Sequence, residues 1–145
     1  MITSKEIDLM IKQRLASHVK QVEVRIRPSN LVYQFLKTEE NQDFIELSLD
    51  SSYKNARGSY LDFWCNYNKS IDEVNIRLVS DHKGRGLGRI LVGLMEDIGK
   101  ASDCSMVQLN GDANKSFWEH MEYRFNPDSR LYEKSLLSNK CQVSN

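Results

Sequence analysis

The chain has 145 residues, of which 20 are basic, 20 acidic and 40% hydrophobic. That length suits one domain with a core of its own, and a net charge of zero lacks the basic excess that nucleic-acid binding brings. No apolar run approaches the roughly 20 residues of a membrane-spanning helix and the first residues lack the pattern of a signal peptide, so a cytoplasmic protein with no membrane or nucleic-acid partner is expected.

Cys65, Cys104 and Cys141 are dispersed, as are His18, His82 and His120, and no C-x-x-C pair occurs. Neither a zinc site nor a disulfide framework is expected, and the cysteines read as reduced thiols.

Thr3-Ser4-Lys5-Glu6 reads as a capping box, followed by an apolar stripe of Ile7, Met10 or Ile11, Leu15 and His18 or Val19. Residues 22–27 alternate with period two, a strand ended by Pro28. Ser29 is placed to cap a short helix through Leu31, Val32, Phe35 and Leu36, with a polar loop over 37–43. Residues 44–50 form the next strand, with Ile45, Leu47 and Leu49 opposite Glu46 and Ser48. A polar connection over 51–59 leads to a strand over 60–67, where Leu61, Phe63 and Cys65 alternate with Asp62, Trp64 and Asn66. The short turn at 68–70 makes residues 71–79 its hairpin partner. There Val74, Ile76 and Leu78 share one face and Glu73, Asn75 and Arg77 the other.

That strand runs into Asp81-His82-Lys83-Gly84-Arg85-Gly86-Leu87-Gly88-Arg89. A helix follows to about Lys100, with Ile90, Leu91, Leu94, Met95 and Ile98 on its buried side. Residues 105–110 make a short strand, Gly111-Asp112 turns into a helix over 113–121, and Asn126-Pro127-Asp128 turns into a last strand over 130–137. One domain over 1–137 with a frayed polar tail over 138–145 is expected.

Three alternating glycines between a strand and a helix leave backbone N–H groups free to converge on one object, and glycine allows a ligand to approach closely. The helix start adds unpaired donors and positive dipole, and Lys83, Arg85 and Arg89 add charge. A phosphate or pyrophosphate is the natural occupant. Spacing excludes two motifs. In G-x-G-x-x-G counted from Gly84 and Gly86 the third glycine falls on Arg89, and in a P-loop counted from Gly84 the second glycine also falls on Arg89, with no Lys-Ser/Thr pair following it.

Lys83-Gly84-Arg85-Gly86-Leu87-Gly88 resembles the pyrophosphate loop of the GNAT superfamily of N-acetyltransferases, patterned Arg/Gln-x-x-Gly-x-Gly/Ala, with Lys83 standing where Arg or Gln is preferred. From residue 44 on, the order of three antiparallel strands, glycine loop, helix, strand, helix, strand is the family's order. Residues 114–123 resemble its segment Asn-x-x-Ala-x-x-Phe-Tyr-x-x-x-Gly-Phe, with Phe117-Trp118 on Phe-Tyr and Tyr123 on the last Phe. The resemblance covers residues 60–137 best. It implies a mixed α+β fold with a mostly antiparallel central sheet flanked by helices. It also implies acetyl-CoA as co-substrate and transfer of its acetyl group to an amine, on a small molecule or a protein, by direct attack in a ternary complex. Dimers are common in the family.

The cofactor contacts so implied are Leu78 and Val79, the loop residues Lys83, Gly84, Arg85, Gly86, Leu87, Gly88 and Arg89, and then Asn110, Asn114 and Trp118. The pantetheine arm would lie along the strand of Leu78, in the gap before residues 106–109. A backbone N–H within 76–79 would stabilise the carbonyl oxygen if the strand splays. Trp118 stands where many members carry a tyrosine that protonates the departing thiolate, and an indole N–H cannot act as that acid. Glu122 stands in place of the family's Gly.

An amine arrives protonated, so a carboxylate or a water chain must accept its proton. Glu73 is the first candidate, with Asp62 and Glu46 on the polar phase of nearby strands. The plainer reading makes all three solvated strand-face residues, or pairs Asp62 with Arg77. Trp118 reads as a packing residue or a wall of the cofactor groove rather than a catalytic one, His82 as a phosphate contact or an exposed loop residue, and Asn110 and Asn114 also as turn and cap residues. Two other functions keep the fold, namely a catalytically idle homologue that binds coenzyme A or a protein, and an enzyme using another acyl donor.

Overall fold

Ile45, Leu47, Leu49, Leu61, Phe63 and Cys65 are fully buried, as period-two alternation requires when one face of a sheet is covered. A computed structural model describes residues 2–28, 41–50, 58–79 and 82–137. The elements run α1 (Ser4–Leu15), β1 (Val22–Pro28), β2 (Gln42–Leu49), β3 (Ser59–Asn66), β4 (Ser70–Arg77), α2 (Leu87–Ala101), β5 (Met106–Leu109), a 3₁₀ turn (Asp112–Asn114), α3 (Lys115–His120), β6 (Arg124–Asn126) and β7 (Leu131–Ser135). One mixed sheet orders them β1-β2-β3-β4-β5-β7-β6. Among the described strands only β4 and β5 pair in parallel, so the fold is α+β, the arrangement that the resemblance implies.

The capping box forms. Glu6 N–H donates to Thr3 Oγ1 at 3.2 Å and Thr3 N–H to Glu6 Oε1 at 3.1 Å, a pair that stabilises a helix start by about 1 kcal/mol. Ile7, Ile11 and Leu15 recur every fourth residue and are buried, with Met10 and Val19 packed at the margin. Beside α1 lies α2, tied to it by Arg14 Nη1 and Asp97 Oδ2 at 2.8 Å. Leu87, Leu91, Leu94, Met95 and Ile98 of α2 complete the core, while Ile90 is only partly buried.

Several sequence expectations are corrected. β2 begins at Gln42, two residues inside the expected loop, and Ser59 belongs to β3 and not to the connection before it. β4 ends at Arg77, short of Leu78 and Val79. The helix expected over 113–121 is a 3₁₀ turn followed by six α-helical residues. The last strand is shorter than 130–137, and β6 pairs with it as an unforeseen partner. The short helix expected after Ser29 and the tail over 138–145 lie outside the described residues.

One correction concerns the strand that carries the candidate base. Asp62 faces Asn75 and Trp64 faces Asp72, so Phe63 stands opposite both Glu73 and Val74. This is a β-bulge, and Glu73 adopts a left-handed φ of 53° within it. The extra residue changes the phase of the strand, so that Ile71 joins Val74 in the buried core. A non-glycine residue in that conformation costs about 1–2 kcal/mol.

Candidate functional site

The glycines of the loop serve two different purposes. Gly84 and Gly86 hold left-handed φ values of 75° and 71°, and a Cβ on either would meet nothing within 4 Å. Their need is conformational. Gly88 lies inside the first turn of α2, where a Cβ would stand 3.2 Å from Phe117 Cε1 and 3.5 Å from Leu78 Cδ1. Its need is space, because α3 packs there.

Gly86 occupies the N-cap of α2, no side chain caps the helix and no acidic residue stands in its first turn. The first intrahelical donor is Ile90, whose N–H reaches Gly86 O at 3.2 Å. The N–H groups of Leu87, Gly88 and Arg89 precede it and lie at the positive end of the helix dipole. Lys83, Gly84, Arg85, Gly86 and Arg89 are exposed. The Arg85 guanidinium donates to His18 O, in the turn after α1.

A cavity of about 240 Å³ opens at this helix start. Among its walls are Leu78, Gly84, Gly86, Leu87, Gly88 and Arg89, all expected from the sequence, and His82, weighed there as a phosphate contact, together with Phe117, His120 and Met121, which were not expected. Phe117 and Met121 are one helical turn apart, a spacing that would have placed them on one face. Beside the cavity the sheet parts. β4 pairs with β5 only at Ser70–Met106 and Ile71–Val107, and β4 continues to Arg77 without a β5 partner among the described residues.

Other expected contacts stand apart from these walls. Trp118 is 3% exposed and packs edge-on against Phe117 and Tyr123, with ring centroids 5.0 and 5.1 Å away. It is turned into the core, and Phe117 takes the place at the cavity. Asn110 is exposed and accepts the Asp112 N–H at 3.1 Å in a local turn. Asn114 precedes α3 but makes no capping hydrogen bond. The Val79 N–H is already taken by Ser59 Oγ at 2.8 Å, which removes it as a donor to a reacting oxygen. Tyr123 lies near Trp118, but burial and the Glu96 carboxylate push its hydroxyl up, and it donates to Glu96 Oε2 at 2.8 Å.

His82 is neither exposed nor in a plain loop position. It is 4% exposed, with Nδ1 2.6 Å from Ser59 Oγ and Nε2 3.0 Å from Asp50 Oδ2. Burial pushes the Asp50 carboxyl up, but hydrogen bonds from His82 and from the backbone of Gln21 and Lys20 outweigh it and leave the carboxyl below its usual value.

The three candidate bases differ in setting. Glu73 is exposed on the bulge, two residues past the last β4–β5 pair. Asp62 lies directly between Glu46 on β2 and Asn75 on β4. Burial pushes the Asp62 carboxyl up and the Glu46 charge adds to this, while the Asn75 Nδ2 hydrogen bond at 2.9 Å offsets only part. Arg77 faces Tyr60 in the register and not Asp62. Glu46 also accepts from Arg27.

No family model matches the sequence, and no curated protein does. Among the solved structures similar to the chain are two with related descriptions. One is Ard1 from Thermoplasma volcanium, at 11% identity over 66% of this chain and 71% of that one, with a TM-score of 0.49. The other is a Klebsiella pneumoniae protein classed with the acyl-CoA N-acyltransferases, at 16% identity over 92% of this chain and 91% of that one, also with a TM-score of 0.49. No helix of the described residues is long and apolar enough to cross a membrane.

Proposed function

We propose that the chain is an N-acyltransferase of the GNAT type that moves an acetyl group from acetyl-CoA to an amine by direct attack in a ternary complex. One observation carries this reading. The left-handed Gly84 and Gly86 present an uncapped helix start to a cavity walled by Leu78, Phe117 and Met121, just past the end of a strand, β4, that has already parted from β5.

The donor set suits a pyrophosphate. The N–H groups of Leu87, Gly88 and Arg89 would hold it, with Lys83 and Arg89 supplying charge, and Leu78 and Phe117 would flank the apolar part of the pantetheine arm. Asn110 and Asn114 are further candidate contacts. When bound, acetyl-CoA supplies an activated acyl group on a thiol leaving group. A thiol with a pKa of about 8.5 departs without a strong acid, which suits a site where the indole of Trp118 is buried and no tyrosine among the described residues lines the cavity. Glu73, on the bulge, is proposed to accept the proton of the attacking amine, with Asp62 as the second candidate. A cytoplasmic setting fits a donor of this kind and free thiols at Cys65 and Cys104.

Thermal denaturation with coenzyme A tests the binding half. A ligand at 100 times its dissociation constant stabilises by about 2.7 kcal/mol, and an unmoved transition would end every coenzyme-A reading. Release of free thiol from acetyl-CoA with a panel of amines tests the chemistry.

The burial of Trp118 favours a second reading, a homologue that binds coenzyme A without turnover. Stabilisation by coenzyme A with no thiol release from any amine or acyl donor is its signature. Turnover with a longer acyl-CoA alone would keep the enzyme and change the donor.

A further inference from the structure

Ser59, His82 and Asp50 have the side-chain types of a hydrolytic triad, but Ser59 is fully buried and no substrate reaches it. Their proton order shows another use. The Asp50 carboxylate can only accept, so the ring nitrogen facing it at 3.0 Å, Nε2, carries the hydrogen. A neutral ring then accepts at Nδ1, and the Ser59 hydroxyl donates to it at 2.6 Å. The lone pairs of Ser59 Oγ are left to receive the Val79 N–H at 2.8 Å. Each donor meets an acceptor, running from Val79 through Ser59 and His82 to Asp50. The opposite tautomer would set Nε2 against a carboxylate, acceptor against acceptor. A charged ring would make Ser59 accept twice and leave its own hydrogen without a partner among the described residues, in a buried place.

The chain joins the end of β2, the start of β3 and the exit of β4. One oxygen, Ser59 Oγ, holds both Val79 and His82, and the His82 N–H returns to Val79 O at 2.9 Å. Two residues later comes Gly84, the first left-handed residue of the loop. Asp50 is fixed in turn, by the Gln21 N–H at 2.8 Å on Oδ1 and by its own N–H to Gln21 O at 2.8 Å.

We infer that His82 is a positioning residue, held as its neutral Nε2–H tautomer, that sets where the glycine loop begins and so how its N–H groups face an anion. The part concerning anion affinity rests on the coenzyme-A reading of the loop, while the tautomer and the loop position do not.

Nitrogen-15 spectra of histidine-labelled full-length protein test the first part, because the two nitrogens of a neutral ring are distinct. The Nε2–H form is expected, and the Nδ1–H form would overturn the inference. Asp50→Asn tests the second. Its amide can donate to Nε2, which draws the ring to the Nδ1–H form and leaves the Ser59 hydroxyl hydrogen unpaired. The Gly84 and Gly86 amide signals should then move, and coenzyme A should bind about tenfold more weakly, the scale of one buried unpaired group. A changed tautomer with unmoved loop amides and unchanged affinity would sink the positioning role. If Asp50→Asn does not fold, His82→Asn and His82→Leu replace it. The Asn amide oxygen can accept from Ser59 as Nδ1 does, so it should keep the loop amides closer to wild type than Leu, and equal displacement would count against the inference. If the wild-type protein ignores coenzyme A, the coenzyme-A reading alone fails, and the spectra still decide the positioning.

Discussion

A Cβ on Gly88 would stand 3.2 Å from Cε1 of Phe117, so the first turn of α2 and the body of α3 touch with no room for a side chain between them. Gly88→Val should therefore lower stability by about 1–3 kcal/mol through overpacking. Phe117→Ala in the same chain should recover part of that loss, giving a coupling of about 0.5 kcal/mol or more in a denaturant double-mutant cycle. Additive losses would show that the two elements do not meet there.

Gly86 separates backbone strain from charge. Gly86→Ala puts a Cβ at a left-handed φ of 71° but in open space, so it should cost about 1–2 kcal/mol and still be stabilised by coenzyme A. Gly86→Asp places a carboxylate at the helix start, where it favours the dipole but repels a pyrophosphate. It should be no less stable than Gly86→Ala and yet lose the coenzyme-A response. Thermal shifts of both variants, with and without ligand, check this.

Asp62 predicts a pH dependence of known sign. Its folded carboxyl titrates above the ordinary aspartate value because it is buried and faces Glu46. The folded state thus gains from protonation. That contribution is present below the unfolded value and is lost as pH rises through the folded one. Asp62→Asn keeps an acceptor for Asn75 and removes the charge. It should melt higher than wild type at pH 7, and the difference should close near pH 3. A constant offset across that range would contradict the cause given.

Glu73 and Asp62 can be told apart by kinetics if the chain turns over. Glu73→Gln should lower kcat/KM by about 10²–10⁴-fold, the usual share of a general base, with coenzyme-A affinity unchanged. If Asp62→Asn shows that loss and Glu73→Gln does not, the base is Asp62.

Glu122 holds φ at 70°, the conformation glycine adopts without strain, so the chain turns here as a glycine would despite the side chain. Glu122→Gly should be neutral or stabilise by up to about 1 kcal/mol, left-handed strain being partly offset by the entropy of glycine. Glu122→Val should destabilise. Chemical denaturation of the pair decides.

Features that depend on neighbours in sequence were legible from the sequence. The Thr3–Glu6 box spans three residues, and the glycine loop announces itself within six. The alternation that buries Ile45 and Leu61 is equally local. What escaped depends on partners far along the chain. The bulge at Glu73 exists only because β3 pairs beside it, and nothing in Asp72-Glu73-Val74 marks it. The burial of His82 needs Ser59, 23 residues away, and Asp50, 32 away. β6 is three residues long and is a strand only because β7 folds back on it. The resemblance sets Trp118 in the place of a family tyrosine, but the facing of a six-residue helix is decided by what it packs against.

The bond from Arg85 to the His18 carbonyl makes the N-terminal helix a tether of the loop as well as a wall of the core. Deletion mapping from the amino end would therefore register twice. Shortening the turn at His18 while sparing the apolar stripe before it would loosen the loop before it melted the fold.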